Sequence, residues 1–230
     1  MATLDNGITM MFFNICWHRL YEGPRLDDKT DSRHGYFTHD GNEWGEECYT
    51  FLPDNGNFYF HGPTDEDKTI RLENLGANNT DILIDDILTV FISTEPISGR
   101  QYIVGWYKNA RVFREFQEYH DPERRSQTGG PWFYNVLTDE KYGVRVEAKH
   151  RNKYILPESI KFRATFFANG SKNLNFCKEV YAYICNCEQE IEADKEKLKV
   201  KVRRSAGAPT VLYDNSGEFP MELAAGGNNV

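Results

Sequence analysis

Tyr102-Ile103-Val104-Gly105-Trp106-Tyr107-Lys108-Asn109-Ala110-Arg111-Val112-Phe113 is the stretch whose reading decides the fold. Apolar, aromatic and β-branched residues dominate it, which suits strands. Trp106 and Tyr107 are neighbours and so face opposite sides of a strand; at most one lies in the core if the sheet buries a single face. Gly105 and Asn109 bracket them and predict a bulge or turn that re-aims a side chain. The stretch therefore reads as two strands, Tyr102–Tyr107 and Ala110–Phe116, flanking an aromatic pair.

Working outward, residues 8–15 read as a first apolar strand. Residues 22–47 are polar and glycine-containing and predict mostly loop. Residues 49–52 and 57–61 predict short strands around the turn Pro53-Asp54-Asn55-Gly56. An apolar run over 82–93 predicts a buried strand, turned by Pro96-Ile97-Ser98-Gly99. Residues 118–131 predict a loop, and 132–138 and 144–149 further strands. Phe176, Val180, Ile184, Cys187 and Ile191 recur at steps of four and three, the stripe of one helix; Lys195–Arg204 extends it or forms an edge strand. From Ser205 onward the composition predicts a tail or linker. The fold class is α+β, a curved sheet or partial barrel with flanking helices and a C-terminal helix. The expected organisation is a domain over 1–190 and a helix extension with a flexible tail over 191–230.

The chain has 230 residues with a formal net charge of -8. Residues 1–99 carry 6 Lys+Arg against 18 Asp+Glu, whereas 100–204 carry 21 against 14. A basic second half keeps nucleic acid open as a partner. No apolar run reaches the ~18 residues of a membrane span, and Met1–Met10 lacks the basic and apolar regions of a signal peptide. Five cysteines without framework spacing predict a cytoplasmic chain with reduced thiols. No cofactor, metal or catalytic residue is expected. Walker, dinucleotide-binding, zincin and nucleophile-elbow motifs are absent from the sequence. Cys177, Cys185 and Cys187 read as packing thiols rather than zinc ligands, because residues two apart on a helix diverge by ~200°. His34 and His39, in one acidic loop, read as solvated.

Two sets of residues carry candidate chemistry. Asp139, Glu147 and Lys149 fit the Asp…Glu-x-Lys pattern by which nucleases hold a divalent metal; this is the alternative enzymatic reading, with a protein-interaction module as a third. The stronger set is aromatic: 4 Trp, 13 Tyr and 15 Phe make up 14% of the chain. Trp17, Trp44, Trp106 and Tyr107 accompany Asn14 and Asn109. Aromatic rings stack on bases for ~1–3 kcal/mol each, and an Asn amide pairs with a base edge as donor and acceptor together.

Three stretches carry a family resemblance: Met11–Trp17; Leu75-Gly76-Ala77 followed by the strand Ile87–Ser93; and Tyr102–Phe113. Together, over roughly residues 8–190, they resemble PUA-like domains related to the EVE, YTH and ASCH domains, of the kind found at the N-terminus of modification-dependent restriction proteins. The resemblance implies a reader of DNA carrying a modified base, RNA not being excluded, which flips that base into an aromatic cage as the sensor of a restriction or phage-defence system. It implies Trp17, Trp106 and Asn109 at the base; Trp44 is added from its glycine-rich setting. Arg111, Arg114, Arg124, Arg125, Lys149 and Arg151 are the expected phosphate contacts. The sequence departs from these relatives over Ala168–Asn175, which is not glycine-rich, and in lacking a nuclease-like half. The expectation is a chain that has lost its effector or is part of something longer.

Overall fold

In a computed structural model the structure describes residues 9–28, 45–62, 69–119, 131–156, 165–168 and 170–204. Among these residues seven strands form one mixed sheet: β1 (Met10–Ile15), β2 (Asn57–Phe60), β3 (Leu83–Thr94), β4 (Gln101–Tyr119), β5 (Trp132–Asp139), β6 (Gly143–Arg145) and β7 (Thr165–Ala168). The order is β2-β5-β4-β3-β1-β7, with β6 also paired to β4. All pairs are antiparallel except β1 with β3, which run parallel from Met10↔Leu88 to Ile15↔Ser93. The α+β class is met, but among the described residues the sheet is open, ending in β2 and β7, and not closed into a partial barrel. Among the described residues one α-helix, α1 (Gly170–Arg204), follows β7, and the expected flanking helices are represented only by short 3-10 segments.

The chain divides into two compact units, Met1–Glu179 and Val180–Val230. In the first, Met11, Phe13 and Ile15 join Phe51, Phe58, Phe60, Phe91 and Tyr107 in one core cluster. The alternate residues Met10 and Phe12 are equally buried, and Phe12 packs on Phe176 of α1 with ring centroids 5.4 Å apart. At β1, therefore, both faces of the sheet are covered, which is why this strand reads as a continuous apolar run. In the second unit Val180 and Ile184 are fully buried, while Glu192–Lys197 are exposed.

Four expectations are corrected. The stretch over 102–116 is not two strands but one, the 19-residue β4. A break at Lys108-Asn109 is avoided by a bulge. Those two residues oppose Leu88 alone, between Tyr107↔Thr89 and Ala110↔Ile87, and Asn109 takes φ 49°, which Asn tolerates better than most residues. Residues 49–52 are not a strand: a 3-10 turn over Glu46–Tyr49 leads into Thr50. Residues 144–149 give only the short β6, then a 3-10 segment over Ala148–Lys153. Lys195–Arg204 continues the helix. The loop expected over 118–131 starts later, since β4 runs to Tyr119; its remainder through Gly130, and the tail from Ser205, lie outside the described residues.

Candidate functional site: the Trp17 loop

The chain leaves β1 at Ile15, whose carbonyl accepts a hydrogen bond from Ser93 Oγ at 2.8 Å. The next five residues are not in regular structure, so their backbone groups need other partners. Cys16 N donates to Glu47 Oε2 at 2.7 Å, and Cys16 O accepts from Tyr21 Oη at 2.7 Å. Arg19 N and Leu20 N donate to the two carboxylate oxygens of Asp28, at 2.5 and 2.7 Å. Arg151 donates from Nη1 to His18 O at 2.5 Å, from Nη2 to Arg19 O at 2.7 Å and from Nε to Val146 O at 3.0 Å. Arg151 is 1% exposed and Asp28 6%.

Burying a charge is costly unless each of its polar atoms is satisfied. Here the charged groups are satisfied by the loop backbone itself, and hydrogen bonds to charged groups contribute ~1.5–3 kcal/mol each. Burial, the dominant influence, pushes the Glu47 carboxyl above its ordinary range and the Tyr21 hydroxyl up to about 12. Both stay protonated more readily than in water, and Tyr21 remains a donor throughout the physiological range.

The loop carries Trp17, which is half-buried. The Arg151 guanidinium sits 4.9 Å from the Trp17 ring centroid and 5.3 Å from that of Tyr21. Tyr102 meets the Trp17 ring edge-on at 6.2 Å. Two of the expected residues, Trp17 and Arg151, are thus brought together, although in a relationship other than a ring and a phosphate contact side by side.

The other expected residues are scattered. Trp106 and Tyr107 are both 0% exposed, so neither presents a ring at the surface; Tyr107 lies in the core and donates from its hydroxyl to Thr50 O. Asn14 is half-buried on β1, and Asn109 is exposed at the bulge. Arg111 pairs with Asp85 at 2.7 Å. Arg114 pairs with Glu73 and donates to Asp81 O and Asn78 O, holding the segment before β3. Lys149 is exposed and pairs with Glu147 at 2.8 Å. Trp44, Arg124 and Arg125, like His34 and His39, lie outside the described residues. Asp139 pairs with Lys141 at 2.6 Å and caps a short turn. Among the described residues no three His, Cys, Asp or Glu side chains gather as a metal site would need. All five cysteines are free thiols.

Sequence reasoning missed a second cluster at the other end of the 45–51 segment. His61 Nδ1 lies 2.8 Å from Glu46 Oε2 and donates to Phe133 O at 2.9 Å. Its ring stacks on Phe116 at 4.5 Å. Beyond it Tyr59, Tyr119 and Tyr134 pack mutually at 4.5–6.1 Å, all half-buried. The alternation of Tyr59 with core residues Phe58 and Phe60 was the available signal.

No family model, no curated protein and no solved structure matches the chain. Among the described residues no helix is long and apolar enough to cross a membrane.

Proposed function

We propose that the chain is a nucleic-acid-binding reader module, a PUA-like domain that recognises a modified base in DNA by stacking it on Trp17. In this reading it serves as the sensor of a modification-dependent restriction or phage-defence system and needs no cofactor. The observation that carries the reading is the Trp17 loop. A half-buried indole stands in a loop where the backbone of Cys16, His18, Arg19 and Leu20 is fixed by Glu47, Asp28, Arg151 and Tyr21. Binding sites need such rigid support, because a ring that must be ordered on binding loses affinity to entropy. The resemblance of Met11–Trp17 and Tyr102–Phe113 to PUA-like readers supports the same assignment, and the basic 100–204 segment supports a polyanionic partner.

The cage is smaller than the resemblance implies. Trp106 and Tyr107 are core residues, and Trp17 is the tryptophan of that set with accessible surface among the described residues. The test is fluorescence anisotropy with short duplexes and single strands at two salt concentrations. They carry cytosine, 5-methylcytosine, 5-hydroxymethylcytosine, its glucosylated form, adenine or N6-methyladenine. A tenfold preference for one modification, about 1.4 kcal/mol, establishes a reader. Equal, salt-sensitive binding leaves a general nucleic-acid binder, and absence of binding at low salt overturns the proposal.

A further inference from the structure

We infer that Arg151 is the positioning residue of the Trp17 site, acting through the loop backbone and the indole face and not through a phosphate. The inference rests on the reading above for its functional meaning. Arg151 touches both the ring and the backbone of the loop. Its guanidinium is 4.9 Å from the Trp17 centroid, and two of its nitrogens hold the carbonyls of His18 and Arg19, the two residues that follow Trp17. Its third contact, Nε to Val146 O, ties the loop to the segment after β6, more than 120 residues away in the chain.

The fork of a guanidinium makes this arrangement possible. It carries its charge on a fork of five N–H donors, so its Cζ lies over the indole at 4.9 Å while three of its nitrogens donate to carbonyls. A lysine ammonium offers the charge without the plane and cannot satisfy three carbonyls and a ring face with the same geometry. With the donors so engaged and the residue 1% exposed, Arg151 has no route to a phosphate oxygen in this arrangement. Its removal would let Trp17 sample other orientations while leaving the sheet's own pairing intact.

The experiment has two arms. In a Trp44→Phe background, acrylamide quenching is measured with and without Trp17→Phe, and the difference isolates the Trp17 emission; buried Trp106 and Trp132 contribute little to it. Arg151→Met, which keeps most of the side-chain volume, is expected to raise the Trp17 quenching constant at least twofold, with Arg151→Lys in between. The second arm measures affinity for a short duplex carrying 5-methylcytosine and for its plain counterpart across a salt series. Arg151→Met is expected to weaken binding to the modified duplex at least tenfold, with the slope of log affinity against log salt unchanged although the positive charge is gone. A phosphate contact would instead lower that slope by about one. Unchanged Trp17 quenching in folded Arg151→Met overturns the inference, as does a reduced salt slope. Failure of both variants to fold also overturns it, by reducing Arg151 to part of the core. A wild-type protein that binds neither duplex overturns the proposed function, and the quenching arm still decides the role of Arg151.

Discussion

Asn135 and Gly62 exchange two hydrogen bonds across 73 residues of sequence, Gly62 N donating to Asn135 Oδ1 at 2.8 Å and Asn135 Nδ2 donating to Gly62 O at 3.0 Å. A side-chain amide here takes the place of a backbone peptide. It continues the β2–β5 pairing just past Phe60↔Val136, where β2 ends. On its other side β5 meets an irregular stretch of β4, in which Phe113–Phe116 stand opposite Asn135 alone. There Arg114 turns its backbone to Ile70 and Ile82.

Asn135→Ala is expected to destabilise the protein by ~2–4 kcal/mol, because it leaves the buried N–H and C=O of Gly62 without partners. Urea unfolding measures this. A change below ~1 kcal/mol would show that water replaces the amide.

Gly105→Ala is expected to cost ~3 kcal/mol or more. An added Cβ would lie 2.2 Å from Phe51 Cζ and 2.5 Å from Val144 O, a ring and a backbone atom held by the core. Gly76→Ala is the control: it meets nothing within 4 Å but has φ +96°, so backbone strain alone, ~1–2 kcal/mol, applies. Thermal unfolding ranks the two, and an equal loss would mean the Phe51 ring yields.

The two tryptophans near the expected cage should separate cleanly. Trp106→Ala is expected to remove ~3–5 kcal/mol of stability, as for other buried aromatics. Trp17→Ala is expected to cost much less stability but to abolish the preference for modified over plain DNA. Paired anisotropy and unfolding measurements on both variants check this; a folded Trp106→Ala with selective binding loss would place Trp106 at the ligand.

The pH dependence near neutrality should run downhill. Burial alone would lower the His61 pKa, but the hydrogen bond and charge of Glu46, with the Phe133 carbonyl, raise it above the ordinary value. The folded state therefore holds the proton more tightly than the unfolded one. This contribution is complete below the unfolded value of ~6.5 and is lost as pH rises through the folded one. Glu47, raised by burial, acts with the same sign from its ordinary carboxylate range upward. Urea midpoints between pH 6 and 8 should fall in the wild type and fall less in His61→Gln; an unchanged slope in that variant would remove His61 from the account.

Thiol chemistry should single out one cysteine. Cys16, Cys48, Cys177 and Cys187 are buried and Cys185 is half-exposed. Burial pushes the Cys48 thiol up to about 12 and raises that of Cys177, and only thiolates react. A disulfide reagent at pH 8 is expected to give one fast thiol, absent in Cys185→Ser.

Much of the sheet was legible because β1, β3 and β5 are apolar runs bounded by turn residues. What escaped was set by contacts distant in sequence. Asn109 signals a bulge or a turn, but which of the two it is, and so whether the strand ends there, is decided by β3, which offers Leu88 alone opposite Lys108-Asn109 and pairs again at Ile87. Glu147–Lys149 looks like a strand end, but the chain curls there into the turn that delivers Arg151 to the loop after β1. An arginine normally sits at the surface, and nothing local to residue 151 announces that its partners are carbonyls of residues 18 and 19. Trp17 could be singled out because a tryptophan beside polar residues stands out without any knowledge of the fold. Trp106, embedded in apolar neighbours, carried no signal separating a core ring from a binding one.

The parallel pairing of β1 with β3 sets an order on synthesis. Met10–Ile15 has no neighbour until Leu88–Ser93 exists, a separation of 78 residues between Ile15 and Ser93. At ~5–20 residues per second the ribosome takes roughly 4–16 s to supply that partner. During that interval a segment of two methionines, two phenylalanines and an isoleucine around a single asparagine has nowhere in its own chain to pair. It is therefore a stretch of the nascent chain open to capture by a chaperone or by another copy.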